Sequence, residues 1–432
     1  MKRGDMERRM TDEVGRGRSR GWYHGWNVVG ACVVAQVSSL GLTINCFSLF
    51  IPHWSAEFDV PVSTLALAIT LFSFVTAFLS YQIGILASRY PARWLFGGGI
   101  ALLAACHLLI SQVGAGWEII ALYVLVLPFA ISFTGSIPAQ SLVSRWFAQK
   151  SGLAMGLTAT GMTLAGVLFP PVIVHFLPLA GWRVIWAGMG VAMLAVTLPI
   201  ALLAMRDRPD PDDPAIYARP PDGHAQAAPS AVTLAGIVRR RNFWVIMSAF
   251  LSVQLIALTV AVDIAPIIYS YGGTAGAAGL FLSIYSAGSI AAKLGSGWLA
   301  DRIGNSVPLA LTAVAGGTGA ILLAVPDTHP LYLAGVAITL GLAGGAWTLL
   351  ASSMLAEFGP VAFGRAFGLA ATFSPLPTLA PPVVAWIHEA SGSFALPLIG
   401  LGVLAFVAAG AVMAFYRAPG AAPAPVGTAT PG

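Results

Sequence analysis

About 20 consecutive apolar residues make a helix long enough to cross a hydrocarbon core about 30 Å thick, and this chain of 432 residues contains twelve such runs. They fall at roughly 26–51, 63–87, 94–113, 118–140, 152–177, 182–204, 243–269, 277–299, 307–325, 331–355, 364–387 and 394–416, each bounded by charge, proline or glycine. In lipid every backbone N–H and C=O must find its partner inside the chain, so the runs are helices or strands of a closed barrel. Barrel strands alternate apolar and polar over about 10 residues, and these runs are longer and continuously apolar. Only 9% of residues are charged and 57% are hydrophobic, whereas a soluble domain carries about 25% charge. A soluble enzyme, a disordered chain and a fibrous protein are excluded, and an all-α membrane protein is expected.

Basic residues orient such a protein, because they collect on the cytoplasmic side. With the N-terminus inside, that side receives the seven basic residues of the N-terminal tail, Arg89 and Arg93, Arg145 and Lys150, the segment Arg206 to Arg241, and Arg302, Arg365 and Arg417. Of the 22 lysines and arginines, only Arg183 falls outside and only Lys293 falls within a span. Both termini are therefore expected in the cytoplasm. The net charge of +5 follows from this asymmetry without any nucleic acid, and Arg239-Arg240-Arg241 reads as an anchor on the inner face. The composition, rich in alanine and glycine with short outer loops, suggests a bacterial inner membrane.

The chain also repeats itself. Gly84-Ile-Leu-Ala-Ser88-Arg89 ends the second run and Gly297-Trp-Leu-Ala-Asp301-Arg302 ends the eighth. Gly152-Leu-Ala-Met-Gly156 opens the fifth and Gly364-Arg-Ala-Phe-Gly368 opens the eleventh. Pro170-Pro171 and Pro381-Pro382 follow inside those same runs. The three pairs share nearly one offset. Twelve transmembrane helices in two pseudo-symmetric six-helix halves are expected, 25–204 and 242–417. They are joined by a cytoplasmic linker at 205–241 and flanked by a cytoplasmic tail at 1–24 and a disordered tail at 418–432. Such halves suit alternating access around a site near the bilayer midplane.

The pattern Gly297-x-x-x-Asp301-Arg302-x-Gly304 resembles the loop signature of the major facilitator superfamily. That resemblance implies a conformational latch made by Asp301, Arg302, Arg89, Gly84 and Gly297 at the inner ends of the helices. In the first-half copy Ser88 replaces the acid and Pro91 the glycine, which implies a weaker latch there. Arg145-Trp-Phe-Ala-Gln-Lys150-Ser-Gly152-Leu-Ala-Met-Gly156, with Gly161 and Pro170-Pro171 beyond, is similar to the monocarboxylate transporter and oxalate:formate antiporter branch, as is Phe50-Ile-Pro52 through Glu57-Phe58. That branch places an Arg in the eighth span to bind the substrate carboxylate, at the position held here by Lys293. Its animal members also carry a functional Lys in the first helix, and here no Lys or Arg lies between Arg20 and Arg89.

Lys293 is the sharpest candidate on physical grounds. It lies eight residues deeper than Asp301, about 12 Å at 1.5 Å per residue, close to the bilayer centre. A cation there costs at least about 2.5–3.5 kcal/mol, so a water-filled cavity, an acidic neighbour or an anionic substrate must offset it. Its repeat counterpart is Ser80, so the charge belongs to one half alone. Substrate binding is one reading, and a structural ion pair or a snorkelling lysine is the other. Asp263, near the outer end of the seventh span, reads either as a proton-coupling carboxylate or as a residue at the wet outer mouth. His107 in the third span is a second proton-coupling candidate, or a core histidine. Asn45, Gln140, Gln254, Tyr285 and Trp347, with Thr43, are candidates for contacting a ligand or for joining helices.

Cys32, Cys46 and Cys106 build neither a disulfide framework nor a zinc site. Gly97-Gly98-Gly99 has no phosphate-loop lysine, and no ATPase signature, metal cluster, cofactor motif or nucleophile–base pair is found. The chain is expected not to be an enzyme. It reads as a monomeric secondary carrier of a small organic anion, a monocarboxylate above all, by proton symport or anion exchange. The alternatives are an efflux carrier for a lipophilic or cationic compound and a non-transporting membrane sensor.

Overall fold

The computed structural model describes residues 22–147, 150–208 and 233–416. Most of the N-terminal tail, most of the linker and the C-terminal tail expected from the sequence lie outside these residues. The regular structure described is helical throughout, as continuous apolar runs in lipid require.

Each expected span finds its helices. The first is α1 (Gly25–Leu40), a π-helical turn (Gly41–Asn45) and α2 (Phe47–Phe58). The second is α3 (Val62–Arg89) and the third α4 (Ala92–Ile110). The fourth bends by 40° between α5 (Gly116–Leu125) and the pair α6 (Leu127–Thr134) and α7 (Ser136–Trp146). A long helix, α8 (Ser151–Ala192), holds the fifth span and opens the sixth. The two are divided at Gly181, whose φ of 74° lies in the region that favours glycine. A second π-helical turn (Met193–Thr197) and α9 (Leu198–Ala204) finish the sixth.

After the short α10 (Leu234–Val238) come α11 (Arg241–Ser270), α12 (Ala275–Ile303) and α13 (Ser306–Leu323), which are the seventh to ninth spans. The tenth joins α14 (Pro330–Leu342) to the first part of α15 (Ala346–Ala371), which breaks at Gly359 with φ 68°. The eleventh starts there, loosens into a 3-10 turn (Leu376–Leu379) and resumes as α16 (Ala380–Ser391). The twelfth is α17 (Ala395–Phe415).

The two proline pairs, expected alike, behave differently. Helix α8 stays helical through Pro170 and Pro171. In the eleventh span the helix breaks first, and Pro381-Pro382 fall in the opening turn of α16, where a missing N–H breaks no intrahelical bond.

The outer surface confirms the solvent. Phe78, Leu203 and Leu331 are 71%, 76% and 78% exposed, among many exposed leucines, valines and phenylalanines. Apolar exposure on this scale is stable only against lipid.

The chain divides into two compact units. Of the described residues, unit 1 takes 22–147, 150–208, 293–301 and 360–376. Its core is aromatic: Phe50, Trp54, Phe96, Tyr123, Trp146, Phe147 and Trp186 are fully buried. Unit 2 takes 233–292, 302–359 and 377–416, and its core is mostly aliphatic, built around Ile256, Ile264, Ile267, Leu323, Leu340 and Leu398 with Phe281 and Phe394. Small residues let its helices touch. The Cα atom of Gly341 lies 3.2 Å from where a Cβ on Gly288 would sit. Close approach of this kind drives association where lipid removes the hydrophobic drive between helices.

Candidate functional site

Helix α12 delivers Lys293 and Asp301 to unit 1. Helical side chains lean toward their own N-terminus, so the Lys293 stem runs away from Asp301 and deeper into the membrane. The residue is 7% exposed. Its ammonium donates to the Thr163 hydroxyl and, at 3.5 Å, to the Ala159 carbonyl. Both acceptors lie on α8, one helical turn apart. Among the described residues no carboxylate pairs with Lys293. The counterpart Ser80 is also buried, and its hydroxyl donates to Thr76 O at 2.9 Å, so the same place in the repeat is satisfied within its own helix.

Two of the residues expected to form a latch, Asp301 and Gly297, meet the start of α8 within unit 1. Helix α8 begins after Lys150, which offers no side-chain cap, so the first N–H groups of α8 need an acceptor from elsewhere. Asp301 supplies it: Oδ1 accepts from Gly152 N–H at 2.7 Å and Oδ2 from Leu153 N–H at 2.9 Å. A carboxylate at a helix N-terminus also faces the positive end of the helix dipole.

Glycine permits this approach. A Cβ on Gly152 or on Gly297 would strike the other's carbonyl. The repeat recurs on α3 and α15, where a Cβ on Gly84 would strike the Gly364 carbonyl and one on Gly368 would lie 2.5 Å from Ser80 O. The repeated glycines therefore meet crosswise within unit 1, second span with eleventh and fifth with eighth. The second pair has no acid, because Ser88 turns its hydroxyl to Ile85 O at 2.7 Å on its own helix. Arg89 and Arg302 stand exposed at the ends of α3 and α12.

The other candidates are scattered. Gln140, 1% exposed, donates from Nε2 to Met155 O at 3.1 Å and joins α7 to α8, while its Oε1 has no partner among the described residues. Thr43 donates to Ser39 O at 2.8 Å and accepts at its own carbonyl from the Tyr123 hydroxyl at 3.2 Å. Asn45 closes the first π-helical turn, and its side chain lies outside the described residues. His107 is fully buried, with Nδ1 2.8 Å from Leu103 O and its ring 4.8 Å from that of Trp186. In unit 2, Tyr285 packs half-buried against the aliphatic core and Trp347 meets Phe250 edge-on at 4.8 Å. Gln254 is half-buried on α11. Asp263 is 7% exposed and its Oδ2 has no hydrogen-bond partner among the described residues.

Three polar clusters were not singled out by sequence. Thr163 is one. A second is Asp207, just past α9, whose Oδ1 accepts from Ala92 N–H at 2.8 Å and from Arg145 at 3.3 Å, capping α4. The third is Glu57 at the end of α2. It accepts from Trp182 Nε1 at 2.7 Å and pairs with Arg183, which also donates to Val113 O at 2.8 Å and lies 4.2 Å from the Trp182 ring. The lone basic residue outside the basic face was the signal for this staple. A charge kept there by itself needs a partner.

The model of the Major Facilitator Superfamily matches residues 33–264 and 252–431. The chain is 25% identical over 401 residues to the fujikurins efflux protein of Gibberella fujikuroi, covering 90% of this chain and 81% of that one. It is 24% identical over 403 residues to monocarboxylate transporter 13 of Bos taurus, covering 90% and 88%. A solved bacterial homologue of the iron transporter ferroportin, in an outward-facing state, shares the fold with a TM-score of 0.67 at 13% identity, over 90% of this chain and 98% of that one. Twelve apolar helices, a sequence that repeats with its glycines meeting crosswise, and these matches lead to one statement: the chain is a multi-pass membrane transporter, not an enzyme, and belongs to the Major Facilitator Superfamily.

Proposed function

We propose that this transporter carries a small organic anion, a monocarboxylate in the first place, by alternating access coupled to a proton or to a counter-anion. One observation carries the reading: the Lys293 ammonium is buried with a hydroxyl and a carbonyl as its partners, and no acid pairs with it among the described residues. Neutral acceptors satisfy the protons of an ammonium but not its charge. An anionic passenger does both. Lysine serves here as a point charge, without the bidentate fork of arginine, which fits a site for small carboxylates of varied shape. Asp263 is the proposed proton carrier, because it is a carboxylate buried within a span whose Oδ2 has no hydrogen-bond partner among the described residues. On this reading the basic face lies in the cytoplasm, as the positive-inside rule has it.

The likeness to a fungal efflux protein favours a second reading, export of a lipophilic compound. The two are separated by purified protein in liposomes, offered labelled formate, L-lactate, pyruvate and oxalate with and without a pH gradient. The anion reading expects uptake by wild type, loss of uptake in Lys293→Gln, and loss of pH dependence in Asp263→Asn. Full activity in Lys293→Gln overturns it.

A further inference from the structure

Threonines inside helices commonly donate their hydroxyl proton to the carbonyl four residues back. Thr43, Thr76, Thr158, Thr312 and Thr339 all do so, at 2.8–2.9 Å. Thr163 does not. Its partner by that rule is the Ala159 carbonyl, and there the Lys293 ammonium has taken the place, donating to Ala159 O at 3.5 Å and to the Thr163 oxygen itself. The Thr163 hydroxyl therefore acts as an acceptor toward Lys293, and its own proton has no acceptor among the described residues. An ammonium has three protons and a hydroxyl has one. Two of the ammonium protons are used on α8. One N–H of Lys293 and the O–H of Thr163 remain, on heavy atoms already in contact.

From this geometry we infer that Thr163 is a specificity-determining residue. Its hydroxyl and the Lys293 ammonium form a two-donor clamp for one carboxylate group, the ammonium bonding one oxygen and the hydroxyl the other. The inference rests on the organic-anion reading and adds to it the residue that turns a point charge into a two-point contact. Carboxylates are preferred over halide, which has no second acceptor atom to offer the hydroxyl. The ammonium stays on α8 while it binds, so the anion need not displace Thr163.

The test compares wild type, Thr163→Val and Thr163→Ser in proteoliposomes, using labelled formate and L-lactate as probes and chloride as a competitor. Valine keeps the shape and removes the hydroxyl, while serine restores it. Loss of a hydrogen bond to a charged group predicts a KM raised about tenfold or more in Thr163→Val. The maximal rate should be little changed, the Thr163→Ser KM should stand near wild type, and chloride should compete better in the valine variant. If Thr163 only parks the ammonium in the empty carrier, its removal frees Lys293 and KM falls. A lowered or unchanged KM in Thr163→Val overturns the clamp while leaving the anion reading intact. Wild-type uptake that survives Lys293→Gln overturns both. Chloride protection of wild type equal to that by formate, followed as a shift in thermal unfolding, also overturns the clamp and needs no transport.

Discussion

The Asp301 cap sets a measurable balance. In the structure its two oxygens accept the second and third N–H groups of α8, those of Gly152 and Leu153, at 2.7 and 2.9 Å. Asp301→Asn keeps the shape but leaves one acceptor oxygen, and turns an N–H₂ group toward the other N–H. A hydrogen bond to a charged group contributes about 1.5–3 kcal/mol, and the interaction with the helix dipole adds about 0.3–1 kcal/mol. Asp301 is exposed, so water screens it and the low end applies, about 1.5 kcal/mol in total. That is roughly a tenfold shift toward states in which α8 and the end of α12 have parted.

Ala159 reports the shift. It is 2% exposed and lies on the face of α8 that receives Lys293. The three native cysteines are buried, which keeps the background of thiol labelling low. The expected outcome is that an Ala159→Cys reporter reacts with a small thiol reagent about tenfold faster in the Asp301→Asn background than in its absence. Asp301→Glu should restore part of the protection. An equal rate in all three would refute the reasoning, since it would mean that the cap does not hold these helices together.

Further outcomes follow from other contacts. Gly84→Ala drives a Cβ against the Gly364 carbonyl, and overpacking of this kind costs about 1–3 kcal/mol. Proteoliposome uptake should fall by at least tenfold, whereas Gly98→Ala, with nothing within 4 Å of the added Cβ, should transport as wild type. The Glu57 carboxyl is raised by burial, but the Trp182 indole and the Arg183 guanidinium outweigh this and hold it below the usual carboxylate range. A folded-state value below the unfolded one stabilises the protein above the unfolded value, and that stability is lost as pH falls through the folded one. Thermal unfolding of wild type should therefore drop on the acid side of the carboxylate range more steeply than that of Glu57→Gln, and parallel curves would sink the assignment. Asp207→Ala removes the carboxylate that caps α4 and pairs with Arg145. It should lower stability by about 1 kcal/mol, read as a drop in unfolding temperature, and an unchanged temperature would overturn the cap.

Most of the fold was legible in the chain itself. Span number followed from apolar run length, because in lipid a run of about 20 apolar residues has few choices but a helix. The repeated Gly84, Gly152, Gly297 and Gly364 marked the places where helices touch, because only glycine allows backbones so close. What the residues left open was which glycine meets which, and why one half has the acid and the other Ser88. The crosswise contacts pair residues more than 140 positions apart in sequence, and local periodicity carries no information about such pairs.

The site divides in the same way. The sequence determined that a lone lysine sits deep in the membrane and that something must offset its charge. The cost of burying a cation is a property of the residue and the solvent, independent of neighbours. Only the tertiary structure decided what surrounds it. An antiparallel crossing of α12 on α8 brings Lys293 to Thr163 and Ala159, and it gives Asp301 the start of the same helix to cap. No pattern in the sequence distinguishes Thr163 from the other threonines of the spans. Its role comes from a hydrogen bond that a residue 130 positions away takes from its own helix, and packing alone brings the two together.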